Sequence, residues 1–165
     1  MGALTAMLEE LERESQTTRR VLERVPDDRL AWKPHQKSMS LGQLALHVAT
    51  LPGAIAEISL QSPFQAPKFI QPSANSASEL LPALDESLVK AKRALGGQDD
   101  ASLASMWRLV DGDRELFAVP RGALLRTLML NHWYHHRGQL SVYLRELDVP
   151  VPSIYGPSAD ENPFA

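Results

Sequence analysis

Hydrophobic residues recur at three- and four-residue intervals in four stretches of the chain, and this spacing predicts four amphipathic helices. The first stretch runs from Leu4 to Val25 and ends at "VPDD". Its middle, Glu14 to Thr18, is polar on the face that should be buried, which predicts either a cavity or a solvent-exposed bend. The second helix opens at Ser40, which forms a capping-box pattern with Gln43 ahead of "LGQLALHVATL".

The third and fourth helices are delimited by residues that commonly start and stop helices. Ser76 and Glu79 form another capping-box pattern before an apolar repeat that runs from residue 80 to a Gly-Gly pair at 96 and 97. The fourth helix is predicted from about Arg121 to about Leu147, since a proline precedes it and "DVPVP" follows it. It is the longest of the four.

The connections complete the predicted fold. "QSPFQAPKFIQPSANS" contains three prolines and no helical period, which is typical of a long crossing connection. An Asp111-Gly112 turn within "MWRLVDGDRELFAVP" predicts a small hairpin or an irregular lid. The sequence therefore predicts an all-α protein, a four-helix bundle with one long crossover loop. Residues 1–165 form one domain in this interpretation, with a C-terminal tail from about residue 148.

Composition and charge narrow the classes of function. The 165 residues are 44% hydrophobic and 22% charged, values typical of globular proteins, with a net charge of −3 and scattered basic residues. This pattern argues against nucleic-acid binding. No apolar run approaches the roughly 20 residues of a membrane span, and the N-terminus turns acidic where a signal peptide would stay apolar. We therefore expect a cytoplasmic protein without a membrane partner.

The chain contains no cysteine. This composition excludes a disulfide framework, a thiolate zinc site and a nucleophilic cysteine supplied by the protein itself. A reactive thiol, if the chemistry needs one, would come from a separate molecule.

Three histidines lie close together in the fourth helix, within "LNHWYHHRGQLSVYLR". On an ideal helix His136 lies about 40° from His132, and His135 lies about 60° from it in the opposite sense. The pair at i and i+4 can converge on one ion. His132 and His136 are predicted to share the buried face, and His135 to lie at its edge, because the apolar positions on that side are Leu125, Met129, Tyr143 and Leu147.

A third ligand is needed, since zinc sites in enzymes usually have three protein ligands and one open position. His47 lies on the buried stripe of the second helix, whereas His35 lies in a loop. We predict a three-histidine site of His47, His132 and His136, with a purely structural hydrogen-bond network as the alternative. The bundle lacks both the glutamate of HExxH peptidases and the Glu-x-x-His pairs of di-iron centres, so one metal ion is expected.

Two glutamines are positioned to assist these histidines. Gln139 lies about 20° from His132 on the helical wheel, and Gln43 lies one turn before His47. Either side chain could orient a ligand imidazole or a bound water, or be an ordinary polar residue of its helix.

Other residues of the C-terminal half are predicted to serve packing or access. Arg137 is expected on a solvated or dimer-contact surface, and Trp133 and Tyr134 in packing or dimer contacts. Gly138 suggests a close approach between helices, because glycine is costly within a helix. Tyr155, in the tail, could cover the site.

Three segments together resemble one known family: "VPDDRLAWKPHQKSMSLGQLALHVA", "NHWYHHRGQLSVYLR" and "PSIYGPSADE". The chain is similar over nearly its full length to the DinB and YfiT superfamily of small bacterial four-helix bundles. That resemblance implies one divalent ion, nickel or zinc, held by a histidine of the second helix and a His-x-x-x-His pair of the fourth. The matching positions are His47, His132 and His136.

The resemblance also implies an activity. Some relatives transfer a low-molecular-weight thiol, such as bacillithiol, mycothiol or glutathione, onto a small electrophilic substrate, and many form homodimers. We therefore expect a thiol S-transferase that uses an external thiol. Two alternatives stay open: a metal-dependent hydrolase with hydroxide as nucleophile, and a metal- or ligand-binding module without turnover.

Overall fold

The computed structural model describes residues 2–68 and 70–165, which form a helical bundle with a small sheet at one end. Four long helical elements dominate this part of the chain. The last of them, named here the C-terminal rod, spans residues 121–146. It begins as an α-helix, continues as a π-helix and ends as an α-helix. The helices are α1 (Ala3–Leu22), α2 (Leu41–Ser59), α3 (Leu80–Gly96), the short α4 (Asp100–Ala104), and the rod's α5 (Arg121–Leu124), π-helical segment (Leu125–Asn131) and α6 (His132–Glu146). The all-α bundle is thus confirmed.

One of the two predicted capping boxes forms. Ser40 Oγ accepts a hydrogen bond from the Gln43 amide (3.2 Å), and Gln43 Oε1 accepts one from the Ser40 amide (2.9 Å). The second prediction was wrong, because Ser76 caps a short 3₁₀ turn that precedes α3. Glu79 accepts instead from the amide of Asn75 (3.1 Å), outside the helix that it was expected to cap.

Helix α2 is the central element of the bundle and contacts α1, α3 and the C-terminal rod. Its apolar side chains supply much of the core, with buried residues that include Leu41, Leu44, Val48 and Leu51. Its 19 residues have a mean hydropathy of 1.2, which by length and composition alone would suit a membrane span. The expectation that no apolar run approaches the length of a membrane span was therefore wrong. Burial of 56% of the segment within the bundle accounts for its apolar composition.

A three-stranded sheet of β1 (Phe64–Gln65), β2 (Met106–Asp111) and β3 (Arg114–Pro120) adjoins the helices. Strands β2 and β3 form the predicted hairpin, and Gly112 adopts a positive φ of 59° in its turn. Strand β1 lies within the crossing connection, which was predicted to be irregular, and it pairs parallel to β2. Two residues are too few for an alternating pattern, so the sequence carried no signal for this strand.

Side chains fasten the sheet to the C-terminal end of α2. The indole nitrogen of Trp107 donates to the carbonyl of Ile58 (3.2 Å), and Arg121 Nε donates to the carbonyl of Ser59 (2.7 Å). Carbonyl groups in the last turn of a helix have no partner within it. The sheet and the start of the rod therefore supply the donors that this helix end lacks.

The polar middle of α1 is buried and filled by Arg137, whose side chain is 1% exposed. Arg137 Nη2 donates to Glu14 Oε2 (2.7 Å), and Nη1 donates to Thr18 Oγ1 (3.1 Å). Neither the cavity nor the exposed bend predicted for this region forms, and the solvated or dimer-contact position predicted for Arg137 was wrong. An arginine can be buried when a carboxylate and further acceptors surround it.

The buried stripe of α6 differs from the one that the helical wheel predicted. His132 and His136 are half-buried and lie beside this stripe, which consists of Trp133, Arg137, Leu140 and Leu144. The wheel assumed one helix type throughout, but residues of the π-helical segment advance by a smaller angle because its hydrogen bonds join i to i+5. The packing expected of Trp133 is present, since that side chain is fully buried.

The C-terminal tail folds back over the bundle. Arg20 pairs with Glu161 and Arg145 pairs with Asp160, both from the tail. Tyr155 donates its hydroxyl hydrogen to Glu14 Oε2 (2.9 Å), so it covers the buried ion pair rather than the histidines, contrary to prediction. The close helix approach expected at Gly138 was also wrong, since a Cβ there would meet no atom within 4 Å.

Candidate metal centre

Three imidazoles converge where α2 meets α6. One ring nitrogen from each of His47, His132 and His136 lies within 4.8 Å of the others. The Nε2 atoms of His132 and His136 are 2.7 Å apart, and the ring centre of His47 is 4.6 Å from that of His136. The structure thus brings together the three histidines that the sequence singled out. A group with this geometry could hold one metal ion.

Local structure explains the convergence. His132 and His136 lie one turn apart on α6, so their rings project from the same side of the helix. His47 comes from the middle of α2, the neighbouring helix. The indole nitrogen of Trp133 donates to the carbonyl of Val48 (2.8 Å), and this bond fixes the two helices relative to each other beside the site.

Burial keeps all three imidazoles neutral near pH 7. Burial, with smaller contributions from the nearby rings of His136 and His132, lowers the pKa of His47 to about 4. Burial likewise lowers the pKa of His132 and of His136. A neutral imidazole offers a lone pair to a cation, whereas a protonated one does not.

Hydrogen bonds orient part of the cluster. Gln139 Oε1 lies 2.7 Å from His136 Nδ1 and can accept its hydrogen, which directs the Nε2 lone pair of His136 toward His132. His132 Nδ1 is buried, and an interaction with the backbone of Leu128 acts against burial by raising the pKa of His132. With the hydrogen of His136 on Nδ1, the two Nε2 atoms share one hydrogen at most. A cation between them would take the place of that hydrogen and accept a lone pair from each ring. The donor set fits a divalent ion that prefers nitrogen ligands.

Three other residues considered from the sequence lie outside the three-histidine cluster. Gln43 Nε2 donates to the carbonyl of Gln71 (3.1 Å), and its Oε1 accepts from Ser40, so its amide joins α2 to the crossing connection. His35 is exposed in its loop, where its Nδ1 accepts from the amide of Lys37. His135 is exposed, with its ring centre 5.0 Å from that of His136.

A cavity of about 250 Å³ opens beside the cluster, and His47 and His132 form part of its wall. Further residues of α2 and residues 70–72 of the crossing connection complete its lining. Sequence reasoning missed this feature, because the connection has no periodic pattern that would place it against a particular helix. A cleft next to converging polar groups is a common form of small-molecule site.

Comparisons with known proteins agree with this architecture. The model of the DinB family matches residues 1–163. The Bacillus subtilis (strain 168) protein YrdA, described as uncharacterized, is 29% identical over 159 residues, which cover 96% of this chain and 91% of YrdA.

Two solved structures are similar in fold. A DinB-like protein from Bacillus cereus ATCC 10987 superposes with a TM-score of 0.71 at 25% identity, covering 90% of this chain and 95% of its own. A DinB-like protein from Bacillus subtilis, YjoA, gives a TM-score of 0.64 at 22% identity, covering 88% and 95%. With the family model matching nearly every residue, the chain belongs to the DinB family.

Proposed function

We propose that this protein binds one divalent metal ion, zinc or nickel, through His47, His132 and His136, and transfers a low-molecular-weight thiol onto an electrophilic substrate. The observation that carries the proposal is the convergence of three imidazoles, with one nitrogen from each lying within 4.8 Å of the others. Three protein ligands leave a coordination position open, as catalytic zinc sites require.

The chemistry of such an ion is to lower, toward neutrality, the pKa of a thiol or water molecule that it binds. The three histidines contribute no negative charge, so the positive charge of the ion is retained. In the proposed transfer, the external thiol gives its proton to solvent and its sulfur forms a bond to an electrophilic carbon. The leaving group departs with the electron pair of the bond that breaks.

The surroundings of the cluster favour thiol over water as the nucleophile. Among the described residues, neither the three-histidine cluster nor the lining of the adjoining cavity includes a carboxylate that could serve as the general base that many metal hydrolases use. A thiol with a pKa of about 8.5 needs far less assistance to ionise than water with a pKa of about 15.7. Transfer of a thiol therefore makes the smaller demand on this site.

Elemental analysis tests the metal site. The purified protein, loaded with zinc or nickel and freed of excess, should retain about one ion per chain. His132→Ala should retain almost none, because a pair of imidazoles does not complete the site. His135→Ala is the matched control, since it removes an exposed histidine three residues away and should leave the metal content unchanged. Equal metal content in all three proteins would contradict the assignment.

A turnover screen tests the activity. The loaded protein is incubated with bacillithiol, mycothiol or glutathione and a panel of electrophiles, and thioether products are measured by mass spectrometry. Products that form with the wild type and with His135→Ala, but not with His132→Ala, would support transfer. Hydrolysis of an ester or amide panel without thiol dependence would favour the hydrolase, and no turnover despite bound metal would favour a binding module.

A further inference from the structure

The cavity beside the histidine cluster has an apolar wall. Thr50 and Gln71 are the polar residues there besides His47 and His132, and within the described residues its lining contains no charged side chain. The apolar part of the lining consists of Leu51, Ala54, Ile55, Ile58, Ile70 and Pro72. Any group that enters the cavity beyond the histidines is therefore surrounded mainly by hydrocarbon.

Both polar residues in this wall donate one hydrogen bond to the protein backbone. Thr50 Oγ1 donates to the carbonyl of Leu46 (2.9 Å), within the same helix. Gln71 Nε2 donates to the carbonyl of Gln43 (3.4 Å). An anionic ligand group would lose its hydration in this cavity and find no cationic side chain in its lining, with only the second amide hydrogen of Gln71 left to donate, which is unfavourable.

The size of the cavity limits its occupant. A protein cavity of about 150 Å³ accommodates benzene, so about 250 Å³ suits a substituted aromatic ring or a short alkyl chain. Ile70 lines the cavity but is 83% exposed to solvent. Covering such a side chain with an apolar ligand contributes roughly 25 cal/mol per Å² of surface removed from water.

We propose that this cavity binds the uncharged, apolar part of the substrate, a single aromatic ring or a short alkyl chain, with the reactive carbon at the histidine end. The inference rests on the proposed function, which makes the occupant a substrate. It separates the two reactants: the apolar electrophile occupies the cavity, and the carboxylate-bearing part of a thiol such as glutathione stays outside it.

The isoleucines of the chain allow a direct test by NMR. The sequence contains four, of which Ile55, Ile58 and Ile70 line the cavity and Ile154 lies in the C-terminal tail. Metal-free protein with labelled isoleucine δ1 methyl groups is titrated with benzyl alcohol, benzoate or benzylammonium. Benzyl alcohol should shift the three cavity signals saturably and leave Ile154 unchanged. The two ions should bind at least tenfold more weakly.

A variant that fills the cavity tests the location. Ala54 lines it from an exposed position on α2, so Ala54→Leu adds volume without disturbing the core or the histidines. It should weaken benzyl alcohol binding at least tenfold, whereas Ala6→Leu, at an exposed position of α1, should leave binding unchanged. Benzoate binding as tight as benzyl alcohol, or an unchanged affinity in Ala54→Leu, would overturn the inference.

A second aliquot of each preparation is loaded with zinc, freed of excess and analysed for metal, and this measurement separates the inference from the proposed function. Protein that retains zinc but does not bind benzyl alcohol overturns the assignment of the cavity alone. Protein that binds benzyl alcohol in the cavity but retains no metal overturns the proposed metal site, and leaves the cavity as a binding site for neutral apolar molecules.

Discussion

The indole nitrogen of Trp133 donates a hydrogen bond of 2.8 Å to the carbonyl oxygen of Val48, which lacks its usual backbone donor within α2. That oxygen would ordinarily accept from the amide four residues later, but this position in α2 is Pro52, which has no amide hydrogen. Val48 and Trp133 each directly follow a histidine of the cluster. The bond therefore compensates for the proline and fixes His47 relative to His132.

Loss of this bond should weaken both stability and metal binding. Trp133→Phe keeps an aromatic ring but leaves the buried carbonyl of Val48 without a donor, at a cost of about 1 to 3 kcal/mol in the free energy of unfolding. The two helices that carry the histidines then lose the hydrogen bond that joins them. Residues that hold metal ligands in place contribute factors of roughly 10 to 100 in metal affinity, so we expect the affinity for zinc to fall about tenfold. Urea denaturation and competitive metal titration measure the two effects.

Trp107→Phe is the control for this prediction. Trp107 is also buried and donates its indole hydrogen to a carbonyl of α2, that of Ile58, near the sheet. This variant should be destabilised while its zinc affinity stays within twofold of the wild type. In a Pro52→Ala background, the amide of residue 52 can donate to the Val48 carbonyl. Trp133→Phe should then lower the free energy of unfolding by less than it does alone. Purely additive effects of the two substitutions would contradict the proposed compensation.

Metal should stabilise the folded protein through its three imidazoles. An ion that binds only the folded state adds about 2.7 kcal/mol to the free energy of unfolding at a free concentration one hundred times its Kd. We expect the urea midpoint of the wild type to rise with added zinc and to return after chelation. His136→Ala should abolish the rise, and His135→Ala should preserve it. A rise of equal size in His136→Ala would show that zinc acts elsewhere on the chain.

Acid should destabilise the metal-free protein through His47. Its pKa is about 4 in the folded protein, against an ordinary value of 6.5, so between these two values the unfolded state binds more protons than the folded state. The free energy of unfolding therefore falls as the pH falls through this range, and this residue contributes no further change below it. The measurement is urea denaturation of metal-free protein at pH 7 and pH 5.

Substitutions at two histidines isolate this effect. His47→Gln cannot take up the proton, so its stability should fall less between pH 7 and pH 5 than that of the wild type. His35→Gln removes a histidine from an exposed loop and should follow the wild type. If His47→Gln loses as much stability on acidification as the wild type, the buried imidazole is not the group responsible.

The features that the sequence predicted depend on short-range geometry. His132 and His136 are one helical turn apart, and Ser40 and Gln43 form their capping box within a single turn, so spacing alone is sufficient for both. His47 was found because it borders an apolar stripe with one helical period. The bundle itself follows from four such stripes.

The features that the sequence did not predict depend on contacts between distant segments. Arg137 was placed on a solvated or dimer-contact surface because its wheel position lay off the predicted buried face, yet Glu14, 123 positions earlier, accepts its hydrogen bond in the core. The π-helical segment changes the angle between residues before it and residues after it, and no residue pattern within it indicates the change. Pairing of β1 with β2 likewise joins segments more than 40 residues apart.

The buried pair of Arg137 and Glu14 should be far more sensitive to substitution than an exposed pair. Arg137→Met leaves the carboxylate of Glu14, whose side chain is 10% exposed, without its cation, at a cost of about 3 kcal/mol or more in the free energy of unfolding. The comparison is Arg93→Met, which removes an exposed partner of Glu57 and should cost less than about 1 kcal/mol. Urea denaturation at pH 7 measures both.

The double variant Glu14→Leu and Arg137→Met distinguishes loss of the pair from loss of packing. With both charges replaced by apolar groups, no ion stays buried without a partner, so the double variant should be more stable than Arg137→Met alone. Tyr155, which contacts both residues from the tail, should then lose its hydrogen bonds to them. If the double variant is instead less stable than either single one, the cost arises from packing in the core, and the buried charge is not its cause.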